Sequence, residues 1–431
     1  MRLAFVSPLP PVASGIADYA ADLLALVSRR HEVEIFHAQD AVEVARLPSG
    51  ASVHRAATLV DRHRQRPFDL AVYQLGNGRS HDFIYDLLSR VPGLLVLHDL
   101  VLHHARAAQF LESEAVRAWR ASPASLAAKQ TAEPVLDAWR DELEYAYPGR
   151  GERLHAVQLG TVGDLLPYGY PLFRIPVEAS RAVAVHNRFM AEAIREEVPG
   201  VAVQCAPMPM SRIDVPVGAA RELRARLGFD EQHVVVGVFG LLTPEKRALS
   251  VARAVARVAS ADDRLRLLLV GPVPDRARLD ADLERLGVRG RTVVTGRVSL
   301  AELAAHIEAA DVVAHLRYPT ARETSAALLR VLAQRRPAIV SDLEHQAELP
   351  EGAVLRVDLA DEDAALTAAL RRLAGDAALR RGLAEAAAAF VSRDHSPERV
   401  APAWEGILEQ ARQSPAPAPR DWPAHWPRPE V

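Results

Sequence analysis

Val234-Val235-Val236-Gly237-Val238-Phe239-Gly240 leads into Lys246–Ala259 and then into Leu265-Arg266-Leu267-Leu268-Leu269-Val270-Gly271. The first and last stretches are near-continuous apolar runs, as strands buried on both faces are. The middle one carries its apolar residues at helical spacing. Strand, helix and strand in that order read as a βαβ unit of a parallel sheet.

The pattern extends in both directions. Thr292–Gly296, Val312–Leu316, Ala338–Asp342 and Val354–Asp358 are further strands, and Asp275–Leu286, Leu300–Ala309 and Ser325–Gln334 further helices. Residues 221–395 thus read as one doubly wound domain of six strands and five helices. Toward the N-terminus, Leu3–Ser7, Val33–His37, Leu70–Leu75, Leu94–His98 and Ala182–His186 place a second Rossmann-like domain at 1–205, with a helical insertion at 115–144. Proline-rich 206–220 is the expected hinge. Residues 396–412 read as a closing helix, and 413–431, rich in Pro and Ala with Trp422 and Trp426, as a mobile tail. The expected class is α/β, with two Rossmann-like domains facing each other across a cleft and a C-terminal helix closing the structure. Ligands of such sheets bind beyond the carboxyl ends of the strands.

Composition narrows the partners. The chain has 431 residues and a formal net charge of −3, so no basic field suits nucleic acid. Its single cysteine, Cys205, cannot form an intrachain disulfide and reads as a small buried apolar residue, in keeping with a reducing compartment. The first apolar run is too short for a signal peptide, and no stretch reaches the ~18 apolar residues that span a bilayer. The expected location is cytoplasmic, compatible with peripheral contact at the inner face of the membrane.

Five strand ends carry candidate chemistry. Ser14-Gly15-Ile16-Ala17-Asp18-Tyr19 follows the first strand; Gly15 would let backbone N–H groups approach a phosphate, and otherwise Ser14 is an ordinary helix cap. Tyr73-Gln74-Leu75-Gly76-Asn77-Gly78 with His81 gathers polar groups, and could equally be a turn. Leu97-His98-Asp99 with His103 has metal-ligand residue types, but a cleft-facing hydrogen-bonding role suits His98 better. Lys246 and Arg247 stand together at a helix start, where the dipole disfavours cations unless an anion is bound. Arg317 to Ser325 ends a strand and opens a helix, with N–H donors at Thr324 and Ser325 and a carboxylate at Glu323 that suits sugar hydroxyls.

In that order these segments resemble the retaining family-4 glycosyltransferases of GT-B fold, over about residues 1–410. Pro11–Tyr19, Leu75-Gly76-Asn77 with His81, Leu97-His98-Asp99, Phe239–Arg247, Thr295-Gly296-Arg297-Val298 and Pro319–Ser325 carry the likeness. The resemblance implies a hexosyltransferase of polysaccharide biosynthesis. It would move sugar from a nucleotide diphosphate sugar to a glycan, lipid-linked or small acceptor, with retention and without metal or other cofactor. It implies catalytic roles for His98, Lys246 and Glu323, donor contacts for Gly15, Arg247, Arg297, Thr324 and Ser325, and acceptor-side roles for Asn77, His81 and Asp99. Three positions depart from the family: Leu241 stands where an arginine is usual, Val331 where a second clamp carboxylate is, and Arg322 where glycine is frequent. Rival readings are an epimerase or phosphorylase on the same fold, a catalytically decayed nucleotide-binding module, and a solute-binding protein, which would need a secretion signal.

Overall fold

The computed structural model describes residues 1–12, 14–160 and 165–429. They form two compact units: Met1–Met208 with Ala321–Thr324 and Val400–Val431, and Pro209–Thr320 with Ser325–Arg399.

The strands of the first unit are β1 (Arg2–Val6), β2 (Glu32–His37), β3 (Ser52–Arg55), β4 (Leu70–Leu75), β5 (Leu94–Leu97), β6 (Ala182–Val185) and β7 (Ala202–Cys205). They pair in parallel in the order β3-β2-β1-β4-β5-β6-β7. Chain order reverses between β1 and β4, which makes their ends the switch point of the sheet. The central strands are fully buried, as their apolar runs required. Edge strands β3 and β7 escaped sequence reading because they are half exposed and carry no such run. Cys205 ends β7 and is exposed, not buried as expected, because an edge strand is covered on one side only.

The second unit contains β8 (Val234–Phe239), β9 (Leu265–Val270), β10 (Thr292–Val294), β11 (Val312–His315), β12 (Ala338–Ser341) and β13 (Val354–Val357), in the order β10-β9-β8-β11-β12-β13. These are the six expected strands. Its switch point lies between β8 and β11. The helices start where short polar side chains cap them: Asp275 on Arg276–Arg285, Ser299 with Glu302 in a capping box on Leu300–Ala309, and Ser325 on Ala326–Ala333. Ala219–Arg226, Glu362–Gly375 and Ala377–Asp394 bring the helices above the five expected.

The helical insertion is wider than 115–144. Between β5 and β6 lie His103–Leu111, Glu114–Ala121, Leu126–Ala146 and Gly151–Leu159, and the buried Trp139 of the third packs with residues of the first and the last. Inside it Arg106 grips Glu142 with two bonds of 2.6 and 2.7 Å. The C-terminal segment is not a mobile tail. Trp422 and Trp426 are buried in the core of the first unit. Their indole N–H groups donate to Glu178 (3.1 Å) and Glu142 (2.9 Å), and His425 donates to Glu142 at 2.8 Å. Two indoles bring enough apolar area, and two donors matched to buried acceptors, to order a chain that prolines keep out of helix and sheet.

Burial alone would raise the Glu142 carboxyl, but Arg106 and then His425 outweigh it and hold it at about 2, below the ordinary 4.5. A depressed carboxylate stabilises the fold above its unfolded pKa and loses that contribution as pH falls through the folded one. Thermal unfolding should therefore drop steeply between pH 4.5 and 2 in the wild type. In Glu142→Gln the drop over that window should be shallower, on an already lowered Tm.

Candidate active site

In the second unit the chemistry collects at the switch point. Gly240 follows β8 with φ +108, a left-handed backbone that suits glycine. A side chain there would stand 3.3 Å from Nζ of Lys246, so the glycine leaves room for the ammonium group. Gly271, φ +137, lies against the carbonyl of Gly240 too closely for any side chain. Lys246 ends a short 3-10 turn, Pro244–Lys246, and is 7% exposed. The loop is tied to the end of β11: Tyr318 N–H donates to Glu245 O at 2.9 Å, and Arg317 N–H to Ser341 Oγ at 3.1 Å. His315, the last residue of β11, is buried, and its Nε2 has no hydrogen-bond partner among the described residues. Burial, then the charges of Lys246 and Arg317, push its imidazole well below the ordinary 6.5. One neutral imidazole and two cations thus meet at the strand ends. The helix Ala326–Ala333 starts beside them in sequence, with Ser325 Oγ accepting from Leu328 N–H. Positive charge at a switch point is what a diphosphate requires.

Arg247 is held by a partner within its own unit. It stands at φ 56 between the turn and the helix Ala248–Ala259, and its guanidinium pairs with Glu362 at 2.7 Å. Its charge is matched by that carboxylate, because Glu362 opens a neighbouring helix of the same unit. Arg297 is exposed on the loop after β10.

In the first unit, His98 follows β5, Gln74 lies within β4, and Tyr19 sits in the helix Gly15–Val27 that Ser14 caps. The ring centroids of Tyr19, His98 and His186 are 4.7 to 5.1 Å apart. His98 Nε2 is 2.8 Å from Gln74 Oε1. His81 Nδ1 donates to the Gln74 backbone carbonyl at 2.8 Å, and burial holds that imidazole at about 4. Burial, then His186 and His81, push His98 well below 6.5. Both rings are neutral near pH 7. A side chain on Gly76 would collide with Ile16, so the glycine loop after β1 and the polar loop after β4 are packed on one another.

Ala321–Thr324 belongs with this unit. Ala321 O accepts from Leu100 N–H at 2.9 Å. Asn187 Nδ2 donates to Arg322 O (3.0 Å) and Thr324 Oγ1 (3.1 Å), and Thr324 Oγ1 donates to His186 O (3.0 Å). Glu323 is therefore carried on a segment pinned beside the Tyr19–His98–His186 group. Arg322 has φ 63. That left-handed backbone is why glycine suits the position, and the Asn187 bond offsets strain of ~1–2 kcal/mol.

Of the acceptor-side candidates, Asn77 and Asp99 are brought together: Asn77 N–H donates to Asp99 Oδ2 at 2.7 Å. Asn77 Oδ1 also accepts from Ala105 N–H (2.9 Å), so its polar groups knit the two loops. Among the described residues no group of three or more His, Cys, Asp and Glu side chains is placed to hold a metal ion. His186 and His315 went unremarked as site residues in the sequence, and Gln74 was named only within its segment. Their signal was a polar residue at or near the end of an apolar strand run.

A glycosyltransferase group 1 family model matches residues 233–376, which span β8 to β13. Together, two Rossmann-type parallel-sheet units give the chain the fold of the GT-B glycosyltransferases. Among solved structures it is similar to Anabaena HepE in complex with UDP-glucose, with 15% identity, 95% of this chain and 100% of that one covered, and TM-score 0.64. It is similar too to sucrose-phosphate synthase from Thermosynechococcus elongatus (16%, 95% and 98%, 0.62) and to WaaG, a glycosyltransferase involved in lipopolysaccharide biosynthesis (15%, 93% and 98%, 0.59). No curated protein sequence matches the chain. No helix among the described residues is long and apolar enough to cross a membrane.

Proposed function

We propose that this chain is a glycosyltransferase. It moves a hexose-type sugar from a nucleoside diphosphate donor to an acceptor hydroxyl, with retention of configuration and without metal. The observation that carries the reading is the meeting of Lys246, Arg317 and buried His315 at the switch point of a sheet that the group 1 glycosyltransferase model covers. As the anomeric bond breaks, charge grows on the diphosphate, and a preorganised cation stabilises it most at that moment. Lys246 and Arg317 take that role, with the N–H groups opening Ala326–Ala333. Glu323 accepts from hydroxyls of the transferred ring, and His98 orients a hydroxyl group. The acceptor proton leaves with the departing phosphate, so no protein nucleophile is needed. Uridine is the first base to try, since the Anabaena structure holds UDP-glucose. The acceptor is a glycan, a lipid-linked sugar or a small molecule, and a cytoplasmic location belongs to the same proposal.

The test is a panel of nucleotide sugars with and without a glycan and lipid extract, followed by proton NMR of the anomeric signal. Release of nucleoside diphosphate with an α-linked product from an α-linked donor is expected. Epimerised donor without release, or binding without turnover, contradicts the proposal.

A further inference from the structure

Gln74 stands in the strand Leu70–Leu75, whose other residues are apolar or Tyr73. It is 0% exposed. A buried carboxamide is costly unless its groups are hydrogen-bonded, so its place in an otherwise apolar run calls for a task. Its backbone carbonyl accepts from His81, and its side-chain carbonyl faces Nε2 of His98 at 2.8 Å. A carbonyl oxygen can only accept, so this contact is a hydrogen bond when His98 carries its proton on Nε2; the Nε2 of Gln74 has no partner among the described residues. In a neutral ring that leaves Nδ1 as a bare lone pair. Among the described residues Nδ1 of His98 makes no hydrogen bond, and the residue is 5% exposed.

We infer that Gln74 is a positioning residue: it sets the tautomer of His98 so that Nδ1 accepts a hydrogen bond from a substrate hydroxyl. The identity of that substrate rests on the function proposed above. Specificity follows, because the group that meets Nδ1 must be a donor. A ring that bears hydrogen or an ether at that place leaves the lone pair unmatched. The ring is also kept from protonating. The titratable groups around it are Tyr19 from the helix Gly15–Val27, His81 from the turn Arg79–His81, and His186 after β6, with Asp99 next in the chain and Glu323 on the segment that Thr324 bonds to His186. Tyr19 is raised well above 10 by burial and then by Asp22, so it stays a neutral phenol. Asp99 already accepts from Asn77 N–H. None of the three rings adds a negative charge that would draw a proton to His98.

The test is a long-range 1H–15N correlation spectrum of the full-length chain labelled at histidine, assigned with His98→Gln. The expected pattern is a protonated Nε2 and a bare Nδ1 on His98, unchanged from pH 8 to pH 5.5. Gln74→Met keeps the volume without the carbonyl and should give a mixture of tautomers. Gln74→Glu should hold a second proton on the ring at neutral pH. With a nucleotide sugar as substrate, both variants should lose at least tenfold in kcat. The residual rate of Gln74→Glu should rise with pH, while the wild type stays flat between pH 6 and 8. A wild-type spectrum with the proton on Nδ1, or an unchanged His98 pattern in a folded Gln74→Met, overturns the inference. The spectrum needs no substrate. A wild type with the expected pattern and no turnover of any nucleotide sugar contradicts the functional proposal and supports the assignment of Gln74.

Discussion

Lys246→Ala is expected to lower kcat for nucleotide-sugar turnover by about two to three orders of magnitude, the effect of removing one preorganised charge partner from a developing anion. The reason is local. The ammonium group lies against Gly240, and with Arg317 it makes the positive potential that adds to burial in keeping His315 neutral. Arg247 differs from it in that Glu362 already pairs with the guanidinium. The loss should appear mainly in kcat, since the charge is needed most after the bond has begun to break. Glu323→Ala should also lose activity, through weaker hold on the sugar. The measurement is steady-state release of nucleoside diphosphate, with circular dichroism to verify folding. Wild-type kcat in Lys246→Ala contradicts the assignment of the phosphate site.

The second large effect concerns stability. Removing residues 415–431 should destabilise the first unit by at least about 5 kcal/mol, since truncation of a single buried tryptophan costs ~3–5 kcal/mol. Trp422 and Trp426 both leave the core, and Glu142 and Glu178 each lose an indole donor. Glu142 also loses His425, while Arg106 keeps its grip. The double variant Trp422→Ala, Trp426→Ala should reproduce most of the loss in the full-length chain. Urea unfolding followed by fluorescence measures both. A mobile tail would change stability by less than about 0.5 kcal/mol.

What the sequence disclosed follows from where each residue sits. Apolar runs made all six strands of the second unit legible, the half-buried edge strands β10 and β13 included, with β1, β2, β4, β5 and β6. β3 and β7 lie at an edge and lack that signature. The tail was misread because its prolines speak for the backbone, while its order comes from two indoles meeting distant carboxylates. Such pairings are 244 and 284 residues apart in the chain and have no local signal. At the candidate site, the segments were legible and the partnerships were not. Arg247 pairs with Glu362, 115 residues away, a contact with no local signal. Thr324 was read for its backbone N–H, and the bonds of its hydroxyl to His186 and Asn187 had no local signal. Val331, where the family has a carboxylate, is buried in the core of the second unit, where a lone charge would be costly.

The most direct test of the central claim is thermal unfolding of wild type and Lys246→Ala, side by side, against a panel of nucleoside diphosphates. A ligand at 100 times its Kd stabilises by about 2.7 kcal/mol, a rise of several degrees in Tm. The wild type should rise with at least one nucleoside diphosphate, uridine diphosphate first, and Lys246→Ala should show little of that rise. A wild type that no nucleoside diphosphate stabilises, or a variant that responds as fully as the wild type, contradicts a phosphate site at the switch point between β8 and β11.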